Sequence, residues 1–265
     1  MIVTTSLRST PEDVVIACRF ASEIDGAYVP RERYSISELQ TKYCITQFAV
    51  IENSQPIVYH GEDRFFFHRG MAELRILNYI RTGNDPMIAA MGLGKGMSVL
   101  DCTLGLAADA LVAAFVVGGA GQVLGVEASC VVAALTRWGL NGLYAPQADA
   151  RAETKQAASL IEVINADHRN YLEELPDQSF DVVFFDPMFR RSKQASVGIQ
   201  PLRNFADSRP LAIEALQQAK RVARRRVVIK EAHGSPEFSR LGVRHFVGGR
   251  YSPIQFGILL REEIS

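Results

Sequence analysis

The chain is 265 residues long, 48% hydrophobic and 22% charged, which suits one large α/β domain or a main domain with a small appendage. Its 29 basic and 29 acidic residues cancel, so total charge carries no information about a nucleic-acid partner, and no apolar run approaches the roughly 18 residues of a membrane span. Cys18, Cys44, Cys102 and Cys130 lie far apart and the five histidines form neither H-x-H nor H-E-x-x-H; the cysteines read as reduced packing residues, no metal site is indicated, and a cytoplasmic protein without a membrane partner is expected.

Up to about residue 70 the pattern is strand-like. QFAVIE, QPIVYH and RFFFH are short β-branched and aromatic runs broken by NSQP and GEDR, which predicts a small antiparallel unit preceded by a short helix at SISELQTKY. Residues 1–70 are therefore expected to form a β-rich N-terminal appendage and 71–265 the main domain. A helix at MAELRILNYI leads to the polar break RTGND.

From residue 86 helix and strand alternate. The predicted order is a helix over 86–91, a strand MSVLD (97–101), a helix from about Ala107 to Val117, a strand QVLGVE (122–127), a helix over 129–140 and a strand LIEVIN (160–165). A short helix HRNYLEEL, a strand FDVVFFD (180–186), a helix over about 208–223 and a strand RRVVIK follow, and RHFVGGRYSPIQFGILLR reads as two strands joined around Gly248 and Gly249. Strands separated by helices imply right-handed crossovers, hence an α/β, Rossmann-like, mostly parallel sheet covered on both faces, with an antiparallel last strand.

In such a sheet the ligand crevice lies beyond the carboxyl ends of the strands. The first strand ends in VLDCTLGLAADA, which puts Asp101, Thr103 and Gly105 in the following turn; the next strands lead to Glu127, Asp167 and Asp186. Four acids in these places are hard to assign to packing, because an unpaired carboxylate near a core is costly. The competing assignment makes each a helix cap or first-turn acid. Only Gly105 falls in the turn, so the glycine-rich cradle that pyrophosphate requires is missing. S-adenosylmethionine brings an ammonium and ribose hydroxyls but no phosphate, and suits an acid-rich, glycine-poor crevice better: Glu127 would grip the ribose and Asp167 reach the adenine amine.

The strings VLDCTLGLAADALVAA, GVEASCVVAALTRWGL and FDVVFFDPMFR resemble the class I methyltransferases, and specifically the family of ribosomal small-subunit RNA (guanine-N2) methyltransferase J and its less characterised relatives. Asp101, Thr103, Gly105, Asp109, Glu127, Asp186, Pro187, Met188 and Phe189 fall on matching positions. The resemblance implies the class I fold, S-adenosylmethionine as cofactor, Asp109 among the cofactor residues, and an RNA partner, either rRNA or the small ribosomal subunit. Ala107 stands where the family has glycine and Ala108 where it has arginine; alanine in a first helical turn needs only negative φ, so Ala107 is expected to be innocuous.

Methylating an exocyclic base amine is difficult because its lone pair is delocalised into the ring. A carboxylate from Asp186 and the carbonyl of Pro187 could bind the two N–H groups, and Phe189 could stack on the base. Arg190, Arg191 and Lys193 follow directly and could hold phosphates flanking a flipped nucleotide, with Met188 beside them. The segment from Asp186 to Lys230 carries eleven basic residues against three acidic ones; Lys220, Arg221 and Arg224–Arg226 are expected to close a helix, where cations favour the dipole. His68, Arg69 and Arg75 could cover the cofactor or touch RNA, although a structural role suits His68 better. Asp85-Pro86-Met87, a second Asp-Pro-Met, follows a polar loop, and a helix cap explains it fully. Two other readings stand beside RNA methylation: methyl transfer to a small molecule or a protein carboxylate, and a cofactor- or RNA-binding module without catalysis.

Overall fold

The structure, a computed structural model, describes residues 1–143, 149–187, 205, 207, 209–249 and 251–261. The chain begins with β1 (Ile2–Thr5), helix α1 (Pro11–Glu23), β2 (Ala27–Tyr28) and α2 (Ile36–Tyr43), followed by β3 (Gln47–Glu52), β4 (Gln55–His60) and β5 (Asp63–Phe65). These strands form one five-stranded sheet in the order β2-β1-β3-β4-β5. Only β3, β4 and β5 are antiparallel as the sequence suggests; β1 pairs parallel with both β2 and β3. Parallel neighbours need a crossover, and α1 supplies it, burying Ile16, Ala17 and Phe20 against the sheet.

Helices α3 (Gly70–Thr82) and α4 (Pro86–Met91) precede the larger sheet. Its elements are β6 (Ser98–Asp101), α5 (Ala108–Val117), β7 (Gln122–Glu127), α6 (Cys130–Gly142), α7 (Ala152–Ala158), β8 (Ile161–Asn165), α8 (His168–Glu174) and β9 (Phe180–Phe185). After these come α9 (Ile213–Val222), β10 (Ala223–Ala232), α10 (Pro236–Arg240), β11 (His245–Val247) and β12 (Ile254–Leu260). The seven strands run in the order β11-β12-β10-β9-β6-β7-β8. Neighbours from β10 to β8 are parallel, and β12 runs antiparallel to both β10 and β11. The antiparallel last strand therefore sits one place in from the edge, with β11 outside it.

The two faces of this sheet are read from the pleat. Val99, Val182, Phe184 and Val228 enter the core shared with α3, α4 and α5, whereas Leu100, Val183, Phe185 and Ile229 enter the one shared with α9 and α10. Helix α6 joins the two sheets: Val132, Ala134 and Leu135 are buried in the core of the N-terminal unit. Gly139 on this helix admits Phe67, whose ring would lie 1.9 Å from a Cβ at that position. No helix among the described residues is long and apolar enough to cross a membrane.

Three local expectations change. Helix α9 starts at Ile213, not near 208, and Arg224 joins the predicted strand residues Arg225 and Arg226 in β10, so none of the three closes the helix. Ala107 does not take negative φ: it sits at φ 59°, ψ 24°, immediately before α5. For an L-residue that conformation costs about 1–2 kcal/mol, and its buried methyl group returns about 0.8 kcal/mol, so part of the strain is offset locally.

Candidate active site

The pleat decides which side chains meet. Asp101 ends β6, Asp186 directly follows β9, and Lys230 lies two residues before the end of β10; because Asp101 pairs with Phe184 and Ile229 with Phe185, Asp186 and Lys230 are level with each other, two residues beyond Asp101 on the same side of the pleat. They therefore sit at one end of the sheet, and Asp109 in the first turn of α5 approaches from the helix layer. The Lys230 Nζ donates to Asp109 Oδ2 at 2.7 Å and to Asp186 Oδ2 at 2.7 Å. Arg75, from α3, donates its Nη1 to Asp109 and grips Asp85 through Nε and Nη2 at 2.9 and 3.0 Å. Asp85, Arg75, Asp109, Lys230 and Asp186 thus form an unbroken chain of alternating charge from α4 to the end of β9.

Burial and pairing give these groups different protonation behaviour. Burial raises Asp109, but Lys230 and Arg75 outweigh it and hold its carboxyl down at about 2. For Asp186, burial wins over Lys230, with Asp109 adding repulsion, and the carboxyl rises to about 6. Asp101 is 2% exposed; burial pushes it up to about 8 against the opposing hydrogen bond from Thr103 N–H, with Asp109 and Asp186 pushing the same way. Asp101 is therefore neutral at pH 7 in the folded protein, although it would be ionised in the unfolded chain.

A raised carboxyl favours folding most at low pH, and that advantage is lost as pH climbs toward the folded value. Asp101→Asn removes this dependence while its side-chain oxygen can still accept from Thr103. Urea unfolding of the ligand-free protein is expected to show the variant gaining on the parent by at most about 1.4 kcal/mol per pH unit between pH 4 and 8. A margin independent of pH would refute this account of Asp101.

The turn after β6 is tied to its neighbours by backbone and side chain. Thr103 Oγ1 accepts Asp186 N–H at 2.6 Å, and Gly105 N–H donates to Glu127 Oε2 at 2.9 Å. Glu127 also accepts Ser129 N–H at 2.9 Å; burial raises its carboxyl and these two amides oppose the rise. Thr136 from α6 donates to the Gly105 carbonyl at 2.7 Å. The absent side chain of Gly125 on β7 leaves room for Leu104, whose Cδ1 would lie 2.4 Å from a Cβ there. The turn has one conformation because three separate elements hold it.

Asp101, Thr103, Gly105, Glu127 and Asp186 are brought together at this end, with Pro187 directly after Asp186. Asp109 lies at the Asp186 side, in the ion chain. Asp167 caps α8 by accepting Arg169 N–H, and it pairs with the side chains of Arg169 and Arg209 at 2.8 and 2.9 Å. Burial raises its carboxyl, but Arg169 outweighs this and leaves it below the usual range. Met188, Phe189, Arg190, Arg191 and Lys193 lie outside the described residues.

Several basic residues have structural partners. Arg221 donates to the Leu172 and Leu175 carbonyls, and Arg224 to those of Gln178 and Ser179, at the end of the sheet opposite Asp186. Arg69 pairs with Glu73 and donates to the Asp149 carbonyl. Tyr251 is 92% exposed in the β11–β12 turn, which lies at the Asp186 end because His233 N–H donates to Pro253 O.

Sequence reasoning missed Lys230 and the use of Arg75, and it stopped too early at Asp85. That residue does cap α4, accepting Met87 and Ile88 N–H at 2.9 and 3.2 Å, but the same carboxylate also anchors Arg75. The available signal for Lys230 was a lone cation directly after the apolar Val227-Val228-Ile229, near the carboxyl end of β10, where only acids had been sought.

A parallel sheet with an inserted antiparallel strand, an acid at the end of its first, second and fourth parallel strands, and a turn short of glycine define an S-adenosylmethionine-dependent methyltransferase of class I. The family model described as "Putative SAM-dependent methyltransferase" matches residues 64–250, and the chain belongs to that family. It is 34% identical over 242 residues to the uncharacterised protein YpiP of Bacillus subtilis, covering 91% of this chain and 92% of that one. It is 32% identical over 179 residues to ribosomal RNA small subunit methyltransferase J of Chromohalobacter salexigens, covering 64% and 67%. Among solved structures, a SAM-dependent methyltransferase from Neisseria gonorrhoeae shares the fold with a TM-score of 0.65 at 17% identity, covering 98% of this chain and 96% of that one.

S-adenosylmethionine is therefore the cofactor, and the residues present fit it. Two buried carboxylates, Asp101 and Glu127, flank one turn, and Asp101 is held neutral where a cation would favour its charged form. No phosphate cradle competes for the same turn.

Proposed function

We propose that the protein methylates an exocyclic amine of a nucleobase in RNA, with guanine N2 of small-subunit rRNA as the favoured target. The observation that carries this reading is the position of Asp186: its carboxylate stands at the end of β9 while its own N–H is bound by Thr103 of the cofactor turn. An acceptor for amine hydrogens is thus fixed within one hydrogen bond of the loop that would hold the cofactor. The relatives named ribosomal RNA small subunit methyltransferase J, including 32% identity to the Chromohalobacter protein, support rRNA as the substrate class.

When bound, S-adenosylmethionine supplies an electrophilic methyl group on a sulfonium sulfur. Asp101, Thr103, Gly105 and Glu127 line the side on which it would be held, with Asp167 flanking the adenine end; Asp109 acts on the other side, through Lys230. At the reaction end, Asp186 and the carbonyl of Pro187 accept the two amine N–H bonds, which leaves the nitrogen lone pair directed away from both. Holding amine and methyl at near-attack distance accounts for much of the remaining acceleration. Asp186 also receives the proton that the methylated nitrogen sheds. Phe189 would stack on the flipped base, a contact worth about 1–3 kcal/mol, and Arg190, Arg191 and Lys193 would pair with phosphates beside Met188.

The test is mass spectrometry of nucleosides from small-subunit rRNA of a deletion strain, before and after the gene is restored. Loss and recovery of N2-methylguanosine is expected. An unchanged nucleoside profile would remove rRNA as the substrate and favour methyl transfer to a small molecule or a protein carboxylate.

A further inference from the structure

We infer that Lys230 is a positioning residue for methyl transfer: its ammonium, clamped between Asp109 and Asp186, aims the Asp186 carboxylate at the substrate amine and keeps it anionic. This rests on the reading of Asp186 as the amine acceptor. The geometry makes the assignment because Lys230 has two anionic partners, one on each side, each at 2.7 Å.

Asp109 is the anchor, since Arg75 holds it from behind and Asp85 in turn holds Arg75. The ammonium is thereby pinned at the end of a rigid chain, and a flexible four-carbon side chain becomes a fixed point. Of the three groups at the Lys230 end of the chain, Asp186 is the most exposed, at 29% against 16% for Lys230 and 10% for Asp109. Lys230 occupies its Oδ2, and the lone pairs of Oδ1 are not used by Lys230.

Among the described residues, the charged groups facing Asp186 are Lys230 on β10, Asp109 on α5 and Asp101 on β6, with Arg75 and Asp85 behind Asp109. Of these described groups, Asp109, Asp101 and Asp186 itself are carboxyls and Lys230 is the cation among them. Without the lysine, Asp109 and Asp186 would approach the situation of two acids sharing a site, in which one is forced to keep its proton. A protonated Asp186 presents one acceptor fewer and cannot take up a second proton.

The test begins without substrate. Carboxyl-carbon NMR of aspartate-labelled protein, with the Asp186 signal assigned by its loss in Asp186→Asn, follows this one group through pH. In Lys230→Met its titration is expected to move up by at least one pH unit, and in Lys230→Arg it should stay near the parent position. An unmoved Asp186 titration in Lys230→Met overturns the charge role.

Activity then tests aiming. Lys230→Arg keeps the charge but replaces a compact ammonium by a planar fork, and kcat is expected to fall at least tenfold with binding of S-adenosylhomocysteine unchanged. Full activity in Lys230→Arg overturns the positioning role. If Lys230→Met does not fold, Lys230→Gln gives the same titration comparison. If Lys230→Met shifts the Asp186 titration as expected but the parent protein transfers no methyl group to guanine, the substrate reading is sunk and the Lys230–Asp186 coupling stands.

Discussion

Asp186→Ala is expected to lower kcat for methyl transfer by on the order of 10²–10³-fold, the range seen when one preorganised polar partner of a transition state is removed, while the affinity for S-adenosylhomocysteine changes little. In the proposed reaction the carboxylate would act on the substrate amine, whereas the turn after β6 is held by Glu127, Thr136 and the backbone. Stability should move the other way. Burial and Asp109 raise the Asp186 carboxyl to about 6 despite Lys230, so its contribution to folding is greatest at low pH and is lost as pH rises from about 4 through 6. At pH 7.5 it is ionised at a net penalty, and its removal leaves Lys230 still paired with Asp109. The ligand-free variant should therefore unfold at the same urea concentration as the parent or a higher one. Loss of activity without loss of stability marks a residue kept for function. Retention of more than a tenth of the parent kcat, or parallel losses of activity and stability, would sink the role given to Asp186.

The strand ends were legible because each apolar run stops on a polar residue at the edge of a buried strand. MSVLD, QVLGVE and FDVVFFD need only the rules of parallel sheets to bring Asp101, Glu127 and Asp186 to one end. The start of the chain was legible in part and was underread. Thr10-Pro11-Glu12-Asp13 carries a capping residue, a proline at the first helical position and an acid at the third, and α1 begins there with both halves of the capping box made. The four-residue β1 has no such marker, and its parallel pairing with β3 depends on where α1 returns the chain.

Other features could not be read locally. Ala107 looks like an ordinary helix-start alanine, and its left-handed backbone lies where the turn closed by Ala107 N–H to Leu104 O at 2.9 Å hands over to α5. The ion chain is less legible still. Its five residues come from five places in the sequence, and each has an ordinary local explanation: Asp85 a cap, Asp109 a first-turn acid, Arg75 a helix cation. What joins them is the stacking of α3 and α5 on one face of the sheet, a property of tertiary packing with no counterpart in spacing.

The second large effect is expected at Arg75. Arg75→Met preserves much of the side-chain volume and removes the cation that bridges Asp85 and Asp109, both of which are nearly buried. Breaking a buried ion pair from one side costs about 3–5 kcal/mol, because the abandoned carboxylate keeps its desolvation penalty. Each acid retains another partner, Asp85 through the Met87 and Ile88 amides and Asp109 through Lys230, so the lower end, about 3 kcal/mol, is expected. For a domain of this size that is a fall in Tm of roughly 6–12 °C. The pH dependence separates an electrostatic cause from lost packing. Burial raises Asp109, but Lys230 and Arg75 hold it down at about 2, so its stabilising contribution is complete above about pH 4 and disappears as pH falls toward 2. The gap between parent and variant should therefore be widest near neutrality and narrow on acidification. Adding Asp109→Asn to Arg75→Met should recover part of the loss, since one of the two stranded charges is gone. A loss below about 1 kcal/mol, or a gap that ignores pH, would mean that the methionine packs well enough to replace the guanidinium and that the alternating chain does not hold Lys230 in place.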